Sequence, residues 1–195
     1  MLSEKTKLQI LTVNVIAVTA FTISFIYREN YEFLIYIGVI LFFMVLILST
    51  LKKTKFSNTA LWGLTIWAIL HMSGGGLSIG GTRLYEIILL NISEQYEIFK
   101  FDQFVHIYGF AVATLVVYEL LKPKLKPNPK HWVALSIVII MAGLGLGALN
   151  EIIEFFATVT MKETGVGGYT NTSLDLVSNL IGAILAMIYI RKTNY

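Results

Sequence analysis

The sequence predicts an all-α protein, a polytopic bundle of six membrane-spanning helices in one domain over residues 1–195. Composition is the first observation behind this prediction: 56% of the residues are hydrophobic, 14% are charged, and the mean hydropathy is +0.72. Soluble domains carry about 25% charged residues and disordered chains need low hydrophobicity, so both classes are excluded. The chain has no cysteine, which excludes disulfides, thiolate metal sites and a cysteine nucleophile.

Six separate apolar stretches are the second observation, since a helix needs about 20 mostly apolar residues to cross a bilayer. The predicted spans cover about residues 8–27, 33–51, 59–76, 101–121, 132–156 and 173–190. An outer loop over 73–100 follows the third span, and a connector over 122–130 follows the fourth. This connector holds all three prolines, Pro123, Pro127 and Pro129, which predicts a stiff, solvated, extended segment.

The third span is the least regular of the six. Its apolar run, Thr59–His71, is too short to cross a membrane and is followed by Ser73 and then Gly74–Gly76. We therefore expect the third helix to break near Met72, with the glycines at membrane depth as irregular backbone. Such backbone is tolerated there only where protein or a water-filled cavity covers it.

Lysine and arginine predict the orientation of the bundle. Eleven of the 15 fall on the side of the two termini and the 122–130 connector, and four, Arg28, Arg83, Lys100 and Lys162, fall on the other side. Because cytoplasmic loops hold the excess of basic residues, we expect a plasma-membrane protein with both termini in the cytoplasm. Topology thus accounts for the net charge of +3 without a nucleic-acid partner, and membrane lipids are the expected partners.

Polar side chains recur at helical spacing where the predicted helices meet the outer face. Asp102 and His106 open the fourth helix four residues apart, and Asp175 and Asn179 open the sixth with the same spacing. Residues four apart share one face of a helix. The fifth and third helices end in further polar residues, namely Asn150, Glu151, Glu154 and His71.

The depths of these polar residues in the membrane coincide. At about 1.5 Å per residue, His71 lies roughly 24 Å above the inner boundary and His106 roughly 6 Å below the outer one, in a core about 30 Å thick. Ionisable groups inside a membrane are costly and normally face the bundle interior or a wet cavity. We therefore predict that four helices bring histidine, carboxylate and amide groups together in the outer leaflet.

Each of these residues also has a structural interpretation, which the sequence leaves open. Asp102 and Asp175 stand near helix N-termini, where the helix dipole favours carboxylates. Asn150 and Asn179 could serve only as hydrogen-bond partners between helices. Arg83, on the outer loop, could bind an anionic group such as phosphate or anchor the loop to lipid headgroups. It is the shared depth that favours a site.

Small residues in the fifth span predict close helix packing. Gly143 and Gly147 form a small-xxx-small surface, which lets a neighbouring helix approach closely. These glycines lie in the middle of a span and no soluble strand precedes them, so we do not expect a nucleotide-binding loop.

Three motifs together resemble those of VanZ-like membrane proteins, and more closely those of their YjdF-like relatives. The motifs are Asp102-x-x-x-His106-x-x-Gly109, Glu151-x-x-Glu154 and Asp175-x-x-x-Asn179-x-x-Gly182-Ala183. The segment His71–Gly76 adds a histidine-bearing stretch before the outer loop, as in YjdF-like proteins. The resemblance covers roughly Trp67–Met187.

The resemblance implies a small polytopic inner-membrane protein and supplies no reaction. Two positions depart from the VanZ pattern: Gln103 stands where a lysine is usual, and Glu154 stands where a glutamine is usual. Some VanZ-like members are linked to glycopeptide resistance, so the resemblance also implies an envelope or antibiotic-resistance factor without catalysis as one expectation.

Taken with the residues themselves, the sequence favours a membrane-embedded hydrolase that acts on a lipid-linked or envelope substrate. Histidines and carboxylates suit a divalent metal, with Zn²⁺ as the first candidate, and such a metal activates water. The expected metal ligands are His71, His106, Glu154 and Asp175. Asp102 is expected to orient His106, and Glu151 is the candidate general base, with Glu154 and Asp102 as the other catalytic carboxylates.

Two further functions remain open at this stage. A histidine–carboxylate cluster beside a glycine-broken helix could relay protons in a transport or binding protein, although the inner half of the bundle offers no matching polar residues. Alternatively, the cluster could only hold helices together, through interhelical hydrogen bonds of about 0.6 kcal/mol each. The sequence therefore leaves open whether the protein is an enzyme.

Overall fold

The structure is a computed structural model that describes residues 3–93, 95–125, 131–161 and 164–193. Its main elements are six helices, so the all-α prediction is confirmed. Helices α1 to α6 cover Glu4–Tyr27, Tyr31–Thr54, Asn58–Gly76, Phe101–Leu121, Trp132–Thr160 and Tyr169–Thr193. Five of them, all except α3, are long and apolar enough to cross a membrane. The chain is thus a multi-pass membrane protein, with α3 packed beside the five candidate spans.

Short elements connect the helices. Between α3 and α4, the strands Ser78–Ile79 (β1) and Thr82–Arg83 (β2) form an antiparallel hairpin, and Leu84–Glu86 forms a single 3₁₀ turn. After α4, Lys122–Lys124 forms another 3₁₀ turn, because the fixed φ of Pro123 suits the first residues of such a turn. The prediction of an extended segment is therefore wrong for these three residues.

Some residues used in the sequence predictions lie outside the described part of the chain. They are Lys126, Pro127, Pro129, Lys130 and Lys162.

The predicted break in the third helix is wrong, because α3 continues through the glycine run and ends at Gly76. The glycines are helical and buried where aromatic rings press against the helix backbone. A Cβ on Gly74 would overlap the ring of Tyr85, and a Cβ on Gly75 would overlap the ring of Phe33. Glycine weakens a helix by about 1 kcal/mol relative to alanine, but here its missing side chain is what lets the rings pack.

Close contacts join α4, α5 and α6. A Cβ on Gly182 of α6 would meet the backbone oxygen of Ile107 in α4, so the two helix backbones touch there. On α5, a Cβ on Gly143 would overlap the side chain of Thr114, and one on Gly147 would meet Asn179. The predicted close approach at Gly143 and Gly147 is thus confirmed.

The two ends of the bundle differ in character. We call the end at which α3 and α5 finish and α4 and α6 begin the site end. The opposite half is held by an apolar cluster of Ala60, Leu115, Tyr118, Ile139, Met187 and Ile190. The polar residues predicted to form a site lie at the site end, together with an aromatic cluster from α1, α2 and α3.

Candidate functional site

His106 stands at the centre of a polar cluster at the site end. Its side chain is 8% exposed, and its ring nitrogens face different partners. Nδ1 lies 2.9 Å from the amide oxygen of Asn179, which can only accept a hydrogen bond. Nδ1 therefore donates its hydrogen to Asn179, and Nε2, the nitrogen left to bind a cation, faces Asp102, whose Oδ1 is 3.6 Å away.

Asp175 is fully buried and is held by two neutral amides. Its Oδ1 accepts a hydrogen bond of 3.1 Å from Gln103, and its Oδ2 accepts one of 2.6 Å from Asn171. The same Asn171 nitrogen lies 3.4 Å from Oδ2 of Asp102, so one amide links the two aspartates. Amides fix the position of these carboxylates without neutralising their charge.

Glu151 and Glu154 of α5 form a second group with His106. Oε1 of Glu151 lies 3.8 Å from Nδ1 of His106, and the Glu151 side chain is only 8% exposed. Neither oxygen of Glu151 has a hydrogen-bond partner within the described part of the chain. Glu154 accepts a 2.8 Å hydrogen bond from Asn150. A buried carboxylate without partners is strongly unfavourable, so Glu151 lacks a partner that its environment demands.

These side chains form two groups that could each hold a metal ion. Asp102, His106 and Asp175 offer one ligand atom each, all within 4.8 Å of one another, and His106, Glu151 and Glu154 form a second such group. Imidazole nitrogen and carboxylate oxygen suit Zn²⁺, Mn²⁺ and iron. The arrangement can thus hold a divalent cation close to a buried base.

A comparison with protein-family models shows which family the chain belongs to. The family described as "Predicted membrane protein (DUF2238)" matches residues 9–194, which include all of the polar residues above. The chain belongs to this family. No curated protein and no solved structure matches it. The DUF2238 assignment therefore agrees with a membrane protein, and the chemistry of the site has to be argued from its residues.

His71, a predicted metal ligand, lies in neither of the two groups in this DUF2238 protein. It lines the same cavity of about 40 Å³ as Asp102, His106 and Glu154. Its ring stacks on Trp67 with the ring centres 5.4 Å apart, and its Nδ1 lies 2.6 Å from the hydroxyl of Tyr85. The structure thus places His71 in the wall of the cavity, inside an aromatic enclosure.

Tyr85 fixes the orientation of His71. Burial, and next to it the negative charges of Asp102 and Glu154, raise the pKa of Tyr85 well above its usual value. The phenol therefore keeps its proton, and its oxygen shares a hydrogen bond of 2.6 Å with Nδ1 of His71.

Arg83 lies at the margin of the cavity and faces an acid that the sequence analysis did not consider. Its Nη1 is 4.0 Å from Oε2 of Glu32, a buried residue at the start of α2. Glu32 also accepts a 2.6 Å hydrogen bond from the backbone nitrogen of Gly165. Glu32 therefore joins the hairpin after α3 to the segment before α6.

The sequence analysis noted Gln103 only as a departure from the VanZ pattern and did not consider Asn171, yet these two residues hold Asp175. Asn171 precedes Asp175 by four residues, the same spacing that singled out Asp175 and Asn179. That spacing could have found it, but an amide in the first turn of a helix is also an ordinary capping residue.

Proposed function

We propose that this membrane protein is a metal-dependent hydrolase with its site at the extracytoplasmic end of the bundle. In this proposal a divalent cation, with Zn²⁺ as the first candidate, is bound by Asp102, His106 and Asp175. The observation that carries the proposal is the orientation of His106: Asn179 accepts a hydrogen bond from Nδ1, which leaves Nε2, beside Asp102, to bind a cation. Metal-binding histidines are typically fixed in this way by a hydrogen bond on the other nitrogen.

The surrounding amides support the same assignment. Gln103 and Asn171 donate to both oxygens of Asp175, which orients the carboxylate without adding a competing positive charge. In this proposal Asp102 binds the metal directly, and Asn179 takes the orienting role that the sequence analysis gave to Asp102. His71 lines the cavity as a polar neighbour of the reacting water.

The chemistry follows from a cation bound in the cavity at the site end. A bound divalent metal lowers the pKa of water to about 7 and stabilises charge that develops on the substrate. Glu154 lines the cavity and is assigned the role of proton acceptor, while Glu151 contacts His106. The cavity of about 40 Å³ has room for an ion and a few water molecules. The scissile group of a lipid-linked or envelope substrate would therefore enter it from the membrane surface.

We further propose that α3 completes a six-span bundle with both termini in the cytoplasm. Its 19 residues measure about 28 Å, close to the thickness of the hydrocarbon core. The excess of lysine and arginine at the opposite end supports this orientation. The relationship to VanZ-like and YjdF-like proteins, on the motifs given above, belongs to the same proposal.

Hydrolysis is favoured over transport by the distribution of polar groups. A transport path needs polar residues through the whole depth of the bundle, whereas the opposite half is packed by the apolar cluster of α3, α4, α5 and α6.

The test is the metal content of the purified full-length protein in detergent, measured by elemental mass spectrometry after exposure to Zn²⁺ or Mn²⁺ and removal of free ions. We expect at least one ion per chain in the wild type and a loss of bound metal in His106→Ala. His131→Ala is the matched control, because His131 is exposed at the opposite end and should leave the metal content unchanged.

Activity is then measured on p-nitrophenyl acetate and p-nitrophenyl phosphate. Hydrolysis should be abolished by a chelator and restored by the metal. Metal content that does not exceed that of His106→Ala, or hydrolysis that survives both chelation and this substitution, would contradict the proposal.

A further inference from the structure

The carboxylates of the cluster outnumber the positive charges available to them. Asp102, Asp175, Glu151 and Glu154 surround a single histidine, and their ion-pair contacts within the described residues involve only His106. The nearest cationic side chains are engaged elsewhere. Arg83 faces Glu32, and Lys100 pairs with Glu86 at 3.0 Å and Glu97 at 2.7 Å. One divalent cation would offset only half of the charge of four ionised carboxylates.

His106 can supply a nitrogen to only one cation. A neutral imidazole has one lone pair, and the hydrogen bond to Asn179 places it on Nε2, the side of Asp102. On the Nδ1 side, Oε1 of Glu151 is 3.8 Å away, and Glu154 offers a further oxygen in the same group of possible ligands. The cluster therefore has one group with nitrogen and oxygen ligands and a second side with oxygen ligands only.

The surroundings of Glu151 point to a second bound cation. Its side chain is more than nine-tenths buried, both of its oxygens lack hydrogen-bond partners, and Oε1 faces the ring of His106 at 3.8 Å. In the first cation group, by contrast, both oxygens of Asp175 are held by amides. A buried carboxylate without hydrogen-bond partners, beside a second carboxylate, fits a bound cation.

We propose that the cluster binds two divalent cations, one on Asp102, His106 and Asp175 and one on Glu151 and Glu154, and that its substrates are phosphate esters. This inference rests on the proposed function and extends it from one cation to two. Two bound cations would stabilise the negative charge that develops on the oxygens of a phosphoryl group, and two-metal sites recur in phosphatases and nucleases.

The ligand sets define which ions fit. Oxygen-only sites suit Mg²⁺ and Mn²⁺, whereas a histidine and two carboxylates suit Zn²⁺ and Mn²⁺. Mn²⁺ satisfies both sets, and it is therefore the probe of choice.

The reaction balances with water as the only co-reactant. The water oxygen forms a bond to phosphorus while the bond from phosphorus to the ester oxygen breaks, and the electron pair stays on that leaving oxygen. One proton of the water passes to the oxygen of Glu154 that Asn150 does not engage, and from there to the leaving oxygen. Glu154 can fill both roles, because a carboxylate can contact a cation through one oxygen and take a proton on the other.

The experiment counts Mn²⁺ ions per chain in the full-length protein, after equilibration with excess Mn²⁺ and removal of the free ion. The wild type should bind two, and Glu151→Gln should bind one. Glu86→Gln is the matched control: Glu86 lines the same cavity but lies in neither group, so this variant should bind two. Electron paramagnetic resonance should show magnetic coupling between two Mn²⁺ ions in the wild type and a single-ion spectrum in Glu151→Gln.

The stoichiometry separates failure of this inference from failure of the proposed function. One ion in both the wild type and Glu151→Gln overturns the second site and leaves the first, whereas no ion in the wild type overturns both. Glu154→Gln is a second variant in case Glu151→Gln does not fold, and it should also bind one ion.

The proposed substrate class is tested separately, by measuring phosphate release. Phosphate release from dodecyl phosphate and p-nitrophenyl phosphate should fall at least 100-fold in Glu151→Gln. A wild type that holds two ions but releases phosphate from neither compound overturns the assignment to phosphate esters.

Discussion

Asn179 is a single neutral residue on which the orientation of His106 depends. It is fully buried between α5 and α6, where the absence of a side chain at Gly147 makes room for it. Its amide oxygen holds the proton of His106 on Nδ1. A metal would bind the lone pair of the other ring nitrogen, Nε2. Asn179 therefore acts on the cation only by orienting the histidine.

Asn179→Ala should weaken metal binding without abolishing it. Loss of such an outer hydrogen bond typically costs 10–100-fold in affinity, and we expect a fall of that size in the affinity for Zn²⁺, measured by competition with a fluorescent chelator. Asn14→Ala is the control, since Asn14 bonds to Thr65 away from the site. Equal affinities in wild type and Asn179→Ala would rule out the orienting role.

A second prediction for a single residue concerns Tyr85 and the dependence of stability on pH. Its pKa is raised in the folded protein, so between the usual value of 10.0 and the higher folded value the unfolded chain loses the phenol proton while the folded chain keeps it. In that range the folded state holds more protons than the unfolded state, so the free energy of unfolding falls as the pH rises above about 10. The melting temperature of Tyr85→Phe should therefore fall less between pH 8 and pH 11 than that of the wild type. A parallel fall in both would contradict this account.

Helical spacing predicts which side chains share a face, but it does not identify every partner. Asp102, His106, Asp175 and Asn179 were selected by spacing, and the structure brings them together. Glu32 lies far from Arg83 and Gly165 in sequence, so only the packing of the folded chain could show that it joins them.

At the scale of the helices, close backbone contact between α4 and α6 sets the distances within the cluster. Gly182 allows this contact, because any side chain there would meet the backbone of α4 at Ile107 and Ala111. Asp102 and Asp175 stand on these two helices, so their separation depends on how closely the helices pack.

Gly182→Ala should therefore destabilise the protein and weaken metal binding together. Overpacking of this kind typically costs about 1–3 kcal/mol in the free energy of unfolding, which can be measured by denaturation in detergent micelles. The matched control is Gly145→Ala, where a new Cβ would meet nothing within 4 Å. There the better helix propensity of alanine should raise stability by about 0.5–1 kcal/mol. Similar effects of the two substitutions would show that close packing at Gly182 is unimportant.

The limits of sequence reasoning are clearest in α3. Apolar runs located the five candidate spans, since each run has to match the width of the bilayer. The irregular backbone expected over Gly74–Gly76 was wrong, because three successive glycines usually disfavour a helix but are helical here. The rings of Tyr85 and Phe33, which come from other parts of the chain, reverse that preference by packing against the bare backbone. A contact between distant segments cannot be read from local propensity.

At the scale of the whole molecule, the orientation in the membrane can be tested directly, because the chain has no cysteine. We expect Glu29→Cys, in the turn between α1 and α2 at the site end, to react with a membrane-impermeant maleimide in intact cells. Lys53→Cys, at the opposite end, should react only after the cells are opened. The reverse pattern would place the site on the cytoplasmic side.

The position of the acidic residues along α4 and α6 also bears on how the protein is made. Helices enter the membrane one after another during synthesis, so α4 is inserted before α5 and α6 exist. A charged residue at the centre of a helix costs about 2.5–3.5 kcal/mol to insert. Asp102 and Asp175 instead lie within the first two turns of their helices. Each can remain among the lipid headgroups during insertion, and the charged centre is enclosed only when the last helix arrives.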